Sequence, residues 1–360
     1  MDFYYSFPAV KGKQANREYY IAMVPLKMLK KIFQEDNEYV LPEYRAQRKL
    51  NEARVPEIKN YIINNADTYV FSALAASIDG EFVFAENGHG TLGMLEVSMD
   101  AKLLINDGQH RKAAILAAIE EKVELGEETI AVVFYEDRGL QRSQQMFTDL
   151  NKHAVKASNS ISELYDSRDQ IAVITRGVIG HIPFLNEYVD KEKDILGKFS
   201  SALFTLNMFY NANKRILGKR AYTKEYEDYL YAFWRSVVSY MIPWKELVRK
   251  EISKVDLREQ YIASQSIVIQ ALGRVGNYLF ETNMNNIDEI LSGMENINWK
   301  RSSDVWKNRV IRNDGRVISN EKAILLLGNV IKKYTGIELT DDEKVEERKL
   351  HGTKNIKVGK

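Results

Sequence analysis

The chain has 360 residues, 45% hydrophobic and 28% charged, with 20 Gly, 6 Pro and a formal net charge of +1. That balance fits a globular protein with room for two cores, and it excludes a disordered or collagen-like chain. The complete absence of cysteine excludes disulfides, thiolate metal sites and cysteine nucleophiles together.

Other classes fall away on the same evidence. No apolar run approaches the ~18 residues of a membrane span, and the opening MDFYYSFPAVKGK lacks the pattern of a signal peptide. A cytoplasmic protein is expected, without membrane contact. The five histidines, His89, His110, His153, His181 and His351, include no i, i+4 pair. Zinc is therefore not expected, and a metal would be held by oxygen ligands.

In chain order, REYYIAMVPLKMLKKIF predicts a strand and then a short helix ending near Asp36. RVPEIKNYIIN, residues 54–64, predicts a helix with Pro56 in its first turn. TYVFSALAASI and EFVFAE read as two strands joined by a hairpin turn at Asp79-Gly80. Gly88 to Gly93 matches the literal GxGxxG pattern, but strand-like sequence follows it rather than a helix, so it reads as a loop. KLLIND is a strand, 109–122 a helix, TIAVVFYE a strand by its β-branched and aromatic content, and LQRSQQMFTDLNKH a helix. Beyond residue 165 clear strand signals stop. Helical patterns run over 221–241, 244–250, 257–281, 286–295 and 320–334, and a basic tail, 348–360, is expected to fray. The expected fold class is α+β: an α/β domain over 1–165 and an all-helical domain over 166–360.

Asp107-Gly108-Gln109-His110-Arg111 stands where a strand meets a helix. A helix N-terminus offers unpaired N–H groups and a positive dipole, so it accepts anions. Cations in a first turn are otherwise unfavourable by about 0.3–1 kcal/mol each. Arg111 and Lys112 there point to a bound phosphate, with Arg111 held for the anion rather than for the fold. The bland alternative is a salt-bridged turn capped by Asp107. A second constellation, FTDLNKHAVKASNS, offers Asp149 and Asn151 as oxygen ligands for Mg²⁺ and Lys152 and His153 as phosphate contacts, or simply a capped helix end. Arg48, three residues after Arg45, can fork an anion or lie on a solvated face.

Charge is uneven, with net −5 over residues 1–165 and +6 over 166–360. Two stretches carry the excess: Lys214, Arg215, Lys219 and Arg220 between tyrosines, and Lys300, Arg301, Lys307, Arg309, Arg312 and Arg316 interleaved with Trp299 and Trp306. Such stretches suit a nucleic-acid backbone, or form a solvated basic face.

INDGQHRKAAI resembles the DGQHR motif of the DndB family, found with bacterial DNA phosphorothioation gene clusters. The likeness extends to YRAQRKLNEARVPEIKNYI, MFTDLNKHAVKASNSISELYDSRD, YIASQSIVIQALGRVGN and WKRSSDVWKNRVIRNDGRVIS. It implies a DNA-binding transcriptional regulator, a repressor acting on promoter DNA of its own modification operon, with double-stranded DNA and other Dnd proteins as partners; a homo-oligomer is one open alternative that the sequence does not decide. The N-terminal half also resembles the ParB/sulfiredoxin fold, whose turn binds nucleotide phosphates. Arg48 resembles the entry arginine, Gly108 to Arg111 the turn, and Asp149 to His153 the later box. Gln109 replaces the sulfiredoxin cysteine, which removes thiol chemistry. The resemblance implies ATP and Mg²⁺ as cofactors, with Asp149 and His110 as catalytic candidates and Asp149 as the Mg²⁺ ligand. The alternative function is thus a Mg²⁺-dependent ATPase that powers or gates DNA modification.

Overall fold

The computed structural model describes residues 3–33, 51–88, 90–136, 145–146, 148–150, 157–197, 199–218, 220, 222–284 and 286–352. The chain divides into two compact units, 1–155 and 156–360.

The first unit is built on seven strands: β1 (Tyr4–Gln14), β2 (Arg17–Pro25), β3 (Leu74–Asp79), β4 (Phe82–Glu86), β5 (Leu92–Ser98), β6 (Lys102–Asp107) and β7 (Thr129–Glu136). The spatial order is β4-β5-β1-β2-β7-β3-β6, with β3 and β7 parallel and every other pair antiparallel. Strand alternation sends one face inward. Tyr20, Ala22 and Val24 of β2 stand opposite Phe134, Val132 and Ile130 of β7, and all six are buried. Helices α1 (Leu29–Ile32), α2 (Val55–Asn64) and α3 (Gln109–Glu121) close the core with Leu29, Ile62, Ala114, Ile115 and Ala118.

The hairpin expected at Asp79-Gly80 does not form. β3 and β4 do not pair; each pairs with a different half of the β5–β6 segment. Only Gly80 and Glu81 separate β3 from β4, so these strands form one long run that bends at Gly80 and carries the sheet from one end of its order back to the other. Gly80 has φ +136°, and a Cβ there would lie 2.7 Å from the Ala101 Cβ. Only glycine fits the bend. The true turn of this ribbon is 87–91, where Asn87 N–H donates to Leu92 O at 2.8 Å. The GxGxxG match falls there, followed by β5 rather than a helix. β1 carried no strand signal because Pro8 interrupts it; Pro8 sits just where the β1–β2 ladder ends.

The second unit is helical: α4 (Asn159–Tyr165), α5 (Gln170–His181), α6 (Pro183–Tyr188), α7 (Leu206–Leu217), α8 (Lys224–Tyr240), α9 (Ile242–Val248), α10 (Lys254–Gln260), α11 (Ser266–Glu281), α12 (Ile287–Ser292), α13 (Glu321–Tyr334) and α14 (Asp341–Gly352), with a two-residue strand pair, β8 (Val189–Asp190) and β9 (Phe204–Thr205). α4 belongs here because Asn207 of α7 donates to the Glu163 carboxylate at 2.5 Å. The expected continuous helix over 257–281 breaks between α10 and α11. There Tyr261 bridges Lys300, Ile262 N–H donates to Trp299 O at 3.0 Å and Arg301 N–H to Gln260 O at 2.7 Å. Backbone pairing to a distant segment outcompetes the local helical period. Residues 348–352 of the expected frayed tail close α14; 353–360 lie outside the described residues.

Candidate functional site

Gly108, with φ +104°, turns the chain from β6 into α3, and a Cβ there would lie 2.3 Å from Leu74 Cδ2. The side chains after it reach to three separate segments. Arg111 Nη1 donates to Ser72 O at 2.7 Å, Ser72 Oγ at 2.5 Å and Ala73 O at 2.9 Å, and Nη2 donates to Asp107 Oδ2 at 2.5 Å. His110 Nε2 accepts from Asn51 N–H at 3.0 Å. Lys112 Nζ donates to Phe33 O at 2.8 Å. Gln109 Nε2 reaches Ile105 O at 3.5 Å, a weak contact. These bonds fasten the entry to β3, the entry to α2 and the end of α1 onto the first turn of α3. An anion at this turn competes for a guanidinium already bonded to two carbonyls, a hydroxyl and a carboxylate.

Arg48, Asn151, Lys152, His153 and Lys219 lie outside the described residues. Asp149 is exposed, and its Oδ1 accepts from Gln145 Nε2 at 2.6 Å. Among the described residues no group of three or more His, Asp or Glu is placed to hold a metal ion.

The basic stretches of the second unit sort by exposure and pairing. Arg215 forks Glu321 at 2.9 and 2.7 Å, Arg220 pairs with Glu281 and Lys307 pairs with Asp304 at 2.6 Å. Arg301 is half-buried, and its Nε has no partner among the described residues. Trp299 and Trp306 are buried, stacked at 5.7 Å between ring centroids, so they are core rather than a surface for bases. Arg309 is a clear departure from a basic face. It is 7% exposed and forks the Glu347 carboxylate of α14.

Lys214, Arg312 and Arg316 remain exposed, and among the described residues none is hydrogen-bonded to a carboxylate, although the charge of Lys214 acts on Glu163. Lys214 lies 5.7 Å from the Tyr210 ring centroid, beside a cavity of about 690 Å³ shared with Asn211, Gln270 and Asn320. Arg312 and Arg316 flank a tight turn. Arg312 N–H donates to Arg316 O at 2.9 Å, Gly315 N–H to Arg312 O at 2.9 Å, and Asp314 Oδ1 accepts from Arg316 N–H at 3.0 Å. Buried Val310 and Ile311 anchor the turn's base. Two exposed arginines thus stand on a hydrogen-bonded turn, and Arg312 lines a shallow cavity of about 350 Å³ together with Asn308, Asn313, Asp314 and Ile318.

A family model described as DndB, DNA-sulfur modification-associated, matches residues 7–338. The chain belongs to the DndB family. No curated protein and no solved structure matches it. DndB membership associates the chain with DNA sulfur modification, and both the DGQHR turn and the two-arginine turn lie within the matched residues. α14 lies beyond them. Among the described residues no helix is long and apolar enough to cross a membrane.

Of the cations that meet α14, Arg309 stood out in the sequence, whereas Arg274, Lys322, Lys332 and Lys333 did not. Scattered over distant helices, they form no local charge run; only the fold gathers them.

Proposed function

We propose that this DndB-family chain is a DNA-binding regulator of a phosphorothioation gene cluster, acting on promoter DNA of the modification operon and working with other Dnd proteins. The observation that carries this reading is the turn at Arg312–Arg316. Its two exposed guanidinium groups have no carboxylate partner among the described residues and stand on a buried apolar base. Guanidinium groups bind phosphate oxygens in a fork, and each phosphate contact adds about 0.9 to the salt slope of binding. Lys214 supplies a further cation in the same unit. The double variant Arg312→Ala/Arg316→Ala should bind operon promoter DNA more weakly, with a slope of log K against log salt shallower by about 2. Unchanged affinity and slope would place DNA binding elsewhere.

A second reading is nucleotide binding at the DGQHR turn, with Mg²⁺ and ATP hydrolysis. It is favoured by the start of α3, which has no side-chain cap and so leaves its first N–H groups to a phosphate. ATP turnover by the purified chain, with and without DNA, tests it.

A further inference from the structure

Helix α14 docks in an unusual way. Among its residues of described burial only Glu343 and Glu347 are buried, at 1% and 6% exposure, while Val345 remains 37% exposed. The apolar core of the second unit ends in sequence at Ile337. The helix is therefore held by charge. Glu343 accepts from Lys332 Nζ at 2.8 Å and from Arg274 Nη2 at 3.1 Å. Glu347 accepts from Arg309 Nη2 at 2.7 Å, Lys333 Nζ at 2.7 Å and Asn329 Nδ2 at 3.1 Å. Glu346 pairs with Lys322 at 3.1 Å. Five cations from α11, α13 and the approach to the two-arginine turn thus face three carboxylates.

We propose that Arg274, Arg309, Lys322, Lys332 and Lys333 form a phosphate-binding surface for duplex DNA, which α14 covers with its own carboxylates. This rests on the DNA-binding reading above and extends it to a second, covered surface. Three observations support it. First, Glu343, Glu346 and Glu347 set three negative charges along about 6 Å of helix axis, a line density close to the one charge per ~1.7 Å of duplex DNA. Second, these five cations outnumber the three α14 carboxylates that face them by two, and Arg274 Nε is buried with no acceptor among the described residues. Third, the five cations lie inside the family match, which ends at residue 338, whereas the covering helix lies outside it. Arg309 also stands three residues before Arg312, so the covered surface continues into the exposed turn. Buried ion pairs contribute little net stability because desolvation offsets their attraction, and among the helix's residues of described burial no apolar side chain is buried beside them; Leu350 is half-buried. A longer polyanion can exchange with this helix.

The test compares three proteins in a duplex-DNA titration against salt: the full chain, its Glu343→Gln/Glu347→Gln variant, and a chain ending at Thr340. Asp341→Asn/Asp342→Asn is the control with the same charge change. The last twenty residues carry five acidic and six basic side chains, so bulk charge alone forecasts slightly weaker binding for the shortened chain. The proposal forecasts about tenfold tighter binding or more for the shortened chain and for the Gln variant, with a slope steeper by about 2, and no comparable gain in the control. Lys332→Ala/Lys333→Ala in the shortened chain should remove the gain. Folded proteins that gain nothing overturn the proposal, and so does a gain equalled by the control. Unfolding of both altered proteins overturns it as well, by showing that α14 is structural. The full chain's Arg312- and Arg316-dependent binding, read in the same titration, reports separately on the function proposed above.

Discussion

Arg111 and Asp107, four residues apart across the strand-to-helix turn, are joined at 2.5 Å, and the same guanidinium carries the backbone carbonyls of Ser72 and Ala73. Arg111 is 16% exposed and belongs to the fold. The sequence offered the Asp107 pairing as the alternative to an anion site, but not the carbonyls of Ser72 and Ala73, which lie 39 and 38 residues away.

Arg111→Ala should therefore destabilise the first unit. It strips donors from two carbonyls and leaves Asp107 without its cation, a loss of about 2–4 kcal/mol. Thermal melting should fall by about 5–15 °C. An unchanged melting temperature with lost nucleotide binding would restore the anion reading.

Arg309 and Arg312 should separate cleanly. Arg309→Ala leaves the buried Glu347 short of its forked partner, so the docking of α14 weakens and stability should fall by about 1 kcal/mol. Arg312→Ala touches an exposed side chain, so melting should stay within about 0.5 kcal/mol of the parent while DNA affinity and salt slope fall. Equal melting losses in both variants would contradict the placement of the two side chains.

Gly80→Ala should be costly for so small a change. It forces a Cβ onto Ala101 at 2.7 Å and holds alanine at φ +136°, worth roughly 1–3 kcal/mol in backbone strain alone. Denaturant unfolding measures it. A cost below about 0.5 kcal/mol, the usual surface value, would mean the β3–β4 bend is not tight.

Glu163 gives a pH signature. Burial pushes its carboxyl up to about 7, against the hydrogen bond from Asn207, with Asp194 and Asp169 adding to the rise. Its second oxygen is buried without a partner among the described residues. A folded-state value above the unfolded one means the folded chain binds the extra proton. The stabilisation is full below about pH 4.5 and is lost as pH rises through about 7, up to about 3 kcal/mol. Glu163→Gln should flatten that loss and raise relative stability at pH 8 over pH 5. A parent and variant with parallel stability curves over this window would refute the assignment.

Much of the local structure was legible in the residues alone. The strands Lys102–Asp107 and Thr129–Glu136, the turn into α3 and the helix Glu321–Tyr334 were legible because hydrophobic period, β-branched content and glycine placement act within a few residues. The family resemblance was legible in the same motifs that the family model matches. Tertiary structure alone decided which strands pair, and so turned the Asp79-Gly80 hairpin signal into a bend. It alone buried Trp299, Trp306 and Arg309, and gathered Arg274, Lys332 and Lys333 under α14. Strand partners, burial and charge pairing depend on residues tens of positions away, which hydrophobic period and local charge counts do not register. A basic stretch in sequence can therefore divide into one exposed arginine pair and one buried arginine, according to which carboxylates the fold brings to meet it.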